Sequence, residues 1–294
     1  MRPVDASATT ASDVDIENGG VGGPHGPVPV RRYLPRASTA PLLIWVHGGA
    51  FVKGSLDQPE SHAVALALAA RGIPVTTVDY RLTSQTSFLW PSPSSRAVRF
   101  PVPFDDVAAV VRDARLRSPG GVLVGGASAG ACLSAAVALS EVDDAQREAE
   151  EHSEDLALPP IRGLLLAYGV LHAALPPASA EVRSRIRGYR KLLHTRRAFG
   201  VMTRNYAGSR AALSDPRAFP GGHPLSGLPT TLMIDADGDI LRGSSEAFAA
   251  ELAAHDVALE RHVVAGTVHA FLNRPRDPGF ARGIDLIAEW AARR

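Results

Sequence analysis

The sequence predicts an α/β fold in which helices flank a mostly parallel central sheet, with a small, mainly helical cap. Short continuous apolar runs alternate along the chain with longer segments of helical composition. Such runs are typical of strands buried on both faces, and their alternation with helices indicates parallel strands joined by helical crossovers. The alternation is interrupted between residues 171 and 224, so we expect that insertion to form the cap above the carboxyl ends of the strands.

Composition and charge exclude several other classes of protein. The 294 residues suffice for one large domain, and 45% hydrophobic with 21% charged residues is ordinary for a globular chain. A formal charge of +1 does not indicate the strongly basic surface of a nucleic-acid-binding protein. No apolar stretch approaches the ~18 residues that span a bilayer. We expect a cytoplasmic monomer or homodimer with no nucleic-acid or membrane partner.

The first elements follow from local composition. Residues 1–28 are rich in Ser, Thr, Gly, Pro and Asp, which predicts a loosely ordered segment before a domain over residues 29–294. This start also lacks the basic and apolar regions of a secretory signal. Within the domain, the apolar runs predict strands at Val28–Tyr33, Leu42–Val46 and Val75–Tyr80, and helices at Gln58–Ala70 and Phe104–Leu116.

The second half of the chain continues the alternation. The segment Arg81–Pro103 is too long for a simple connection, and the acidic residues 143–155 predict a solvated connection or a helix extension. The cap contains a basic helical stretch, Glu181–Phe199. Further strands are predicted at Val122–Gly125, Ile161–Tyr168, Thr230–Ile234 and Leu259–Val264, with helices at Ala131–Val142, Gly243–His255 and Phe280–Ala292.

One turn between a predicted strand and helix has the pattern G-x-S-x-G, at Gly126-Ala127-Ser128-Ala129-Gly130. A serine on such a sharp turn exposes its hydroxyl above the sheet, and the flanking residues must be small because strand and helix approach closely. The amides at the start of the helix favour developing negative charge. These features support Ser128 as a nucleophile; the alternative is a small-residue turn without chemistry. Cys132, the single cysteine, lies on the following helix and is expected to be a core residue.

A catalytic serine also needs a base, a residue that orients the base, and donors for the oxyanion. His47-Gly48-Gly49-Ala50 follows a strand and suits the oxyanion loop, with the Ala129 amide as a further donor; a plain glycine turn is the alternative. His47 itself is expected to be structural. His269 follows the last strand and is the candidate base.

Three carboxylates compete to orient His269. Asp235 abuts a strand, and Asp237 precedes Gly238, where it can close the turn by bonding backbone amides. Asp239 stands between that turn and the apolar start of a helix, which favours a fixed carboxylate directed to the site. The order Ser128, Asp239, His269 along the chain is the order found in α/β hydrolases.

With these motifs the chain, over roughly residues 40–294, resembles the hormone-sensitive-lipase-like family of α/β-hydrolase esterases. The resemblance implies Ser128 as nucleophile, His269 as base and Asp239 as its partner. It also implies an oxyanion hole formed by the amides of Gly49, Ala50 and Ala129, with Gly48 shaping the turn, and no metal or organic cofactor. Five motifs carry it: His47-Gly48-Gly49-Ala50-Phe51, Asp79-Tyr80-Arg81-Leu82, Gly126-Ala127-Ser128-Ala129-Gly130, Asp239-Ile240-Leu241-Arg242 and His269-Ala270-Phe271.

The chain departs from the family pattern near the pocket. Ala50 stands where the family usually has a third glycine, and Ala127 where it usually has Asp. Thr83-Ser84-Gln85 replaces the usual Ala-Pro-Glu. Alanine keeps the amide that the oxyanion needs, provided that the backbone angles suit a Cβ. These changes leave the triad intact and bear on the choice of substrate.

Three functions follow as hypotheses. The first is hydrolysis of small-molecule carboxylic esters with short to medium acyl chains, because the sequence shows no large apolar lid of the kind that lipases use at an oil surface. The second is a non-hydrolytic lyase or acyltransferase of specialised metabolism, suggested by the long Arg81–Pro103 segment. The third is a ligand-binding protein with a dead site, against which the presence of all three triad residue types argues.

Overall fold

The computed structural model describes residues 13–38, 40–84, 97–150, 158–186 and 196–294. Within these ranges eight strands form one sheet in the order β1-β2-β4-β3-β5-β6-β7-β8. The strands are β1 (Val14–Val21), β2 (Val28–Pro35), β3 (Leu42–Val46), β4 (Val75–Val78), β5 (Val122–Ala127), β6 (Ile161–Ala167), β7 (Thr231–Ala236) and β8 (Leu259–Val264).

Helices connect these strands, as the alternation of the sequence predicts. In the described ranges the α-helices are α1 (Pro59–Ala69), α2 (Val102–Arg117), α3 (Ala129–Glu150), α4 (Ala180–Arg185), α5 (Arg196–Ala207), α6 (Arg242–Ala254) and α7 (Pro278–Ala291). Two short 3-10 helices lie at Ala212–Ser214 and Phe271–Asn273. None of the helices in this part of the chain is long and apolar enough to cross a membrane.

The sheet is parallel from β4 to β8 and antiparallel where β1 and β2 join it. Strand β3 shows why it is buried on both sides: Ile44 and Val46 pack into one core, and Leu43 and Trp45 into the other. Helices α2 and α3 contribute to the first core and α1 and α7 to the second, so helices flank both faces. The predicted α/β class is confirmed, and the carboxyl ends of β3, β5, β6, β7 and β8 meet at one edge.

The structure differs from the sequence prediction at the N-terminus. Loose order was expected through residue 28, whereas Val14–Val21 forms the edge strand β1, paired antiparallel with Val28–Pro35 along its whole length. Six of its eight residues are exposed, and two of those are glycines, so its composition resembles that of a loop. Backbone hydrogen bonds rather than side-chain burial stabilise this strand, and composition alone does not detect them.

Three predicted segments fall partly outside the described residues. The Arg81–Pro103 connection includes residues 85–96, and the cap includes residues 187–195 of the predicted basic helix. In the described part of the cap, α5 continues to Ala207, beyond the predicted end at Phe199. The acidic stretch begins as a helix extension, because α3 continues to Glu150; residues 151–157 lie outside the description.

Candidate active site

Ser128 occupies the turn between β5 and α3. Its φ of 52° is left-handed, a conformation that costs an L-residue roughly 1–2 kcal/mol and is held here by the surrounding backbone. The Ser128 amide donates to the Ala167 carbonyl at 2.8 Å, which continues the pairing with β6 past the end of the strand. A Cβ on Gly130 would lie 2.1 Å from the Val46 carbonyl oxygen, so the following helix fits against β3 only because this residue is glycine.

A chain of hydrogen bonds joins the predicted site residues. Ser128 Oγ lies 3.1 Å from His269 Nε2, and His269 Nδ1 lies 2.6 Å from Asp239 Oδ2. The other carboxylate oxygen, Asp239 Oδ1, accepts the Leu241 amide at 3.0 Å. Asp239 is 1% exposed and Ser128 6%. A carboxylate at Nδ1 fixes the tautomer with its proton on that nitrogen, which leaves Nε2 as an acceptor facing the serine hydroxyl.

The two neighbouring carboxylates have other partners. Asp237 accepts the Gly266 amide at 3.0 Å and pairs with Arg185 at 3.0 Å, so it closes the turn as anticipated. Asp235 belongs to β7 and accepts from Arg261 Nε at 2.8 Å, and burial raises the pKa of its carboxyl. The structure therefore brings Asp239, but neither of these, to His269.

The turn after β3 carries three successive residues with positive φ: Gly49 at 128°, Ala50 at 56° and Phe51 at 64°. A Cβ on Gly49 would lie 1.8 Å from the Lys53 carbonyl oxygen, so only glycine fits. In the described part of the chain, the amides of Gly49, Ala50 and Ala129 have no hydrogen-bond acceptor. These three amides are free to receive an anionic oxygen beside Ser128.

Gly48 and His47 support this turn without offering donors to the site. The Gly48 amide donates to Glu60 Oε2 at 2.7 Å, so its N–H is not available to an oxyanion, and the predicted role of Gly48 is limited to shaping the turn. His47 is buried, which lowers the pKa of its imidazole to about 4. Its ring stacks on Tyr80 at 4.5 Å, and Tyr80 donates its hydroxyl to the His47 carbonyl at 3.1 Å. Tyr80 of the Asp-Tyr-Arg-Leu motif thus stabilises the turn after β3 through its contacts with His47.

Glu60 is a site residue that the sequence analysis missed. Its carboxyl is 1% exposed and bonds to Gly48, Tyr168 and Asn273. The Tyr168 ring in turn stands edge-on to His269, with ring centroids 5.2 Å apart. The sequence did contain a signal for this residue. Glu60 precedes Val64 and Leu68 at four-residue spacing, so all three lie on the same, buried face of α1. An acidic residue is rarely fully buried on such a face unless it has a partner.

A cavity of about 610 Å³ opens above Ser128 and His269. Lys53 lies exposed along its lining. The other polar side chains of the lining are Gln58, Glu60, Ser128, Asp239, His269 and Asn273. Among the described residues no group of three or more metal-ligating side chains occurs. The remaining walls are apolar and come from both the sheet edge and α5: Val170, Phe199, Met202, Ile240 and Leu241.

Cys132 lies near Ser128 in sequence but outside the cavity. It is completely buried on α3, and its Sγ donates to the Ala218 carbonyl at 3.3 Å. Burial raises the pKa of the thiol well above its usual range. The thiol is therefore a packed core group, as its position in the sequence suggested.

Sequence comparison finds similarity to known ester hydrolases. The profile of the alpha/beta hydrolase fold family matches residues 43–273. The carboxylic ester hydrolase LipN of Mycobacterium tuberculosis is 32% identical over 271 residues, covering 88% of this chain but only 65% of LipN. The ethyl acetate hydrolase of Pseudomonas putida is 32% identical over 253 residues, covering 83% of this chain and 71% of that protein.

Solved structures of esterases are also similar to this chain. The esterase LipW from Mycobacterium marinum matches with a TM-score of 0.75 at 28% identity, covering 98% of this chain and 84% of LipW. A hyperthermophilic esterase from Pyrobaculum calidifontis matches with a TM-score of 0.75 at 26% identity, covering 95% of this chain and 85% of that one.

Proposed function

The chain belongs to the α/β-hydrolase fold family, as the resemblance to hormone-sensitive-lipase-like esterases predicted, and on that premise we propose that it is a serine esterase. It cleaves carboxylic esters of short to medium acyl chains through an acyl-enzyme on Ser128. The hydrogen-bonded chain from Ser128 Oγ through His269 to Asp239, with distances of 3.1 and 2.6 Å, supports this function most directly.

In the first half-reaction, His269 Nε2 removes the proton from Ser128 Oγ as the oxygen attacks the ester carbonyl carbon. The carbonyl π electrons move to its oxygen and give a tetrahedral oxyanion. Asp239 keeps the imidazole oriented and stabilises the imidazolium that forms. Collapse of the oxyanion breaks the bond to the alkoxy oxygen, which leaves as the alcohol with the proton from His269.

In the second half-reaction, water replaces the alcohol. His269 Nε2 takes a proton from the water as its oxygen attacks the acyl-enzyme carbonyl, and a second oxyanion forms. Its collapse returns the electron pair and the proton to Ser128 Oγ and releases the carboxylic acid. The amides of Gly49, Ala50 and Ala129 donate to the oxyanion in both halves, and each such donor contributes about 10²–10³-fold to the rate.

The cavity supports a small, soluble ester as the substrate. Its apolar walls suit an acyl chain, and a relative that covers most of this chain is named for ethyl acetate. Large apolar side chains that are exposed in the described residues, Ile16, Leu116 and Val263, lie on elements that do not line the cavity. We therefore expect no activation at an oil surface.

Hydrolysis of p-nitrophenyl esters from acetate to palmitate, combined with labelling by a fluorophosphonate, tests this function. We expect one label on Ser128 and the highest kcat/KM at short to medium chain lengths. Faster cleavage of emulsified long-chain triglyceride than of a soluble butyrate ester would contradict the proposed substrate class. A protein that is labelled but hydrolyses no ester indicates the lyase or acyltransferase, and a protein that resists labelling indicates the ligand-binding protein.

A further inference from the structure

A buried carboxylate lies directly beneath the oxyanion turn. Glu60, in the first turn of α1, accepts hydrogen bonds from three different parts of the site. The Gly48 amide comes from the oxyanion turn, Tyr168 from the end of β6, and Asn273 from the short helix after His269. Its four bonds are those from Gly48 N at 2.7 Å, Gln58 Nε2 at 3.4 Å, Tyr168 Oη at 2.5 Å and Asn273 Nδ2 at 3.1 Å.

The hydrogen bonds around this carboxyl favour its ionised form. Asn273 Oδ1 accepts the Glu60 amide at 3.1 Å, which turns the Asn273 NH2 group toward the carboxyl. The Tyr168 hydroxyl donates to Glu60 Oε1 at 2.5 Å. Every partner donates, and only a carboxylate accepts from all of them without a surplus proton.

The positive charges of His269 and Lys53 both favour the ionised form of the Glu60 carboxyl. Burial raises the pKa of Glu60, while the bonds from Tyr168 and Gly48 act against that rise. The titratable groups that face it are Lys53 from the oxyanion loop, Tyr80 after β4, Tyr168 after β6 and His269 after β8. Of these, His269 is the group whose positive charge appears during the proposed reaction.

We propose that Glu60 is a positioning residue of the esterase site, which holds the oxyanion turn against the His269 loop and stabilises the imidazolium with its negative charge. The proposal rests on the function proposed above. Tyr168 connects the two groups, because it donates to Glu60 and packs edge-on against His269. A buried charge in a poorly solvated site acts over a longer range than one in water, so contact with substrate is not needed.

The pH profile separates this role from simple structural support. His269 is flanked by Asp239 and by Glu60 behind Tyr168, and both anions favour its protonated form. In Glu60→Gln one anion is lost while shape is kept, so the imidazolium loses its proton at lower pH. Because the neutral imidazole is the active base, the acid limb of kcat/KM then moves to lower pH, by about half a pH unit or more.

Three variants are compared with the wild type for kcat, KM and this acid limb. For Glu60→Gln we expect kcat to fall about tenfold or more with little change in KM. Glu60→Asp keeps the charge and should retain the wild-type acid limb even if kcat falls. Glu251→Gln is the matched control: Glu251 also accepts a backbone amide, from Gly222, and bonds to a histidine, His172, but lies outside the cavity.

An NMR titration of the His269 imidazole in wild type and Glu60→Gln gives the second readout. It needs no turnover, so its result is independent of whether the chain hydrolyses esters. Equal titration midpoints and equal acid limbs in the two proteins would overturn the role of Glu60. If Glu60→Gln does not fold, Tyr168→Phe decides: an unchanged kcat overturns the proposal, and a roughly tenfold loss at constant KM supports it.

Discussion

The loops at the sheet edge and the helical wall opposite them are held in different ways. The loops continue the hydrogen bonding of the sheet beyond its strands: Ser128 donates to Ala167, and Tyr168 to Ile234, each at 2.8 Å. The loops that carry Asp239 and His269 are joined in turn by a bond from Gly238 to the Thr267 carbonyl, at 2.9 Å. The turn after β5 and the loops after β6, β7 and β8 therefore depend largely on backbone groups, which substitutions leave in place. The oxyanion turn after β3 also depends on the side chains of Glu60 and Tyr80.

The wall formed by α5 is attached largely through side chains, together with a backbone bond from the Phe100 amide to the Tyr206 carbonyl at 2.9 Å. Tyr206 stacks on Phe51 of the oxyanion turn with ring centroids 3.9 Å apart, and Phe199 packs into the core. We expect a single substitution on this helix to alter the cavity without moving the turn after β5. The comparison predicts that substitutions in the wall change the preference for substrate more than they change the proposed chemical step, which depends on the loops.

Ser128→Ala should have the largest effect. Loss of the nucleophile removes the covalent route, and we expect ester turnover to fall by about 10³-fold or more. Alanine adopts the same turn at the same conformational cost, so the thermal midpoint should barely change. Steady-state kinetics and a melting curve on one preparation measure both, and retention of more than about a tenth of the activity removes Ser128 from the mechanism.

Asp239→Asn is expected to come next, with a loss in kcat of about 10²-fold or more. An amide at that position no longer selects the tautomer that presents Nε2 to Ser128. Asp237→Asn and Asp235→Asn are the matched controls, since their carboxylates bond elsewhere. All three are assayed side by side after checking their folds. If Asp237→Asn is the most damaged of the folded variants, the assignment of Asp239 is wrong.

Met202→Ala tests the helical wall. Met202 lines the cavity, and shortening it makes room for a longer acyl chain. We expect the ratio of kcat/KM for octanoate over butyrate to rise by about tenfold, with acetate little affected. Val201→Ala on the same helix is the control, because Val201 does not line the cavity. An equal change in both variants, or a general loss with all chain lengths, contradicts the division between loops and wall.

Ala50→Gly should have the smallest effect. The φ of 56° at Ala50 costs an L-residue about 1–2 kcal/mol, while glycine in the unfolded chain costs roughly 0.4–1 kcal/mol in entropy. These opposing terms predict that the variant is more stable than the wild type by about 0 to 1.6 kcal/mol. Activity should stay within about threefold because the amide is retained. Chemical denaturation and ester kinetics measure the two effects, and a tenfold loss of activity would show that the Cβ itself shapes the hole.

The sequence predicted those parts of the molecule that depend on short-range pattern. Strands β3 and β8 begin and end at the predicted residues. For β3 the signal is a continuous apolar run, Leu-Leu-Ile-Trp-Val, which is followed by Gly48 and Gly49. The sequence also predicted that Ser128, Asp239 and His269 lie at one edge of the sheet, because each follows a strand of the predicted parallel sheet. The roles of these residues remain predictions until the variants are measured.

What the sequence did not predict depends on contacts between distant segments. The exposed strand β1 is stable because β2 supplies its backbone partners, and its side chains carry no signal of that pairing. Glu60 and Tyr168 lie 108 residues apart and meet only when α1 and β6 pack on the same sheet. Each motif covers a single loop. The motifs therefore gave no indication of Glu60, whose carboxylate connects the oxyanion turn to the segment after His269.

The buried Cys132 makes the stability of the catalytic half of the molecule directly measurable. It is the single thiol of the chain and lies four residues after Ser128 on α3, completely covered in the folded state. An alkylating reagent therefore reaches it only during openings of that helix or of the whole domain. When reclosing is faster than alkylation, the ratio of the native rate to the rate for the unfolded chain gives the opening equilibrium without any substrate.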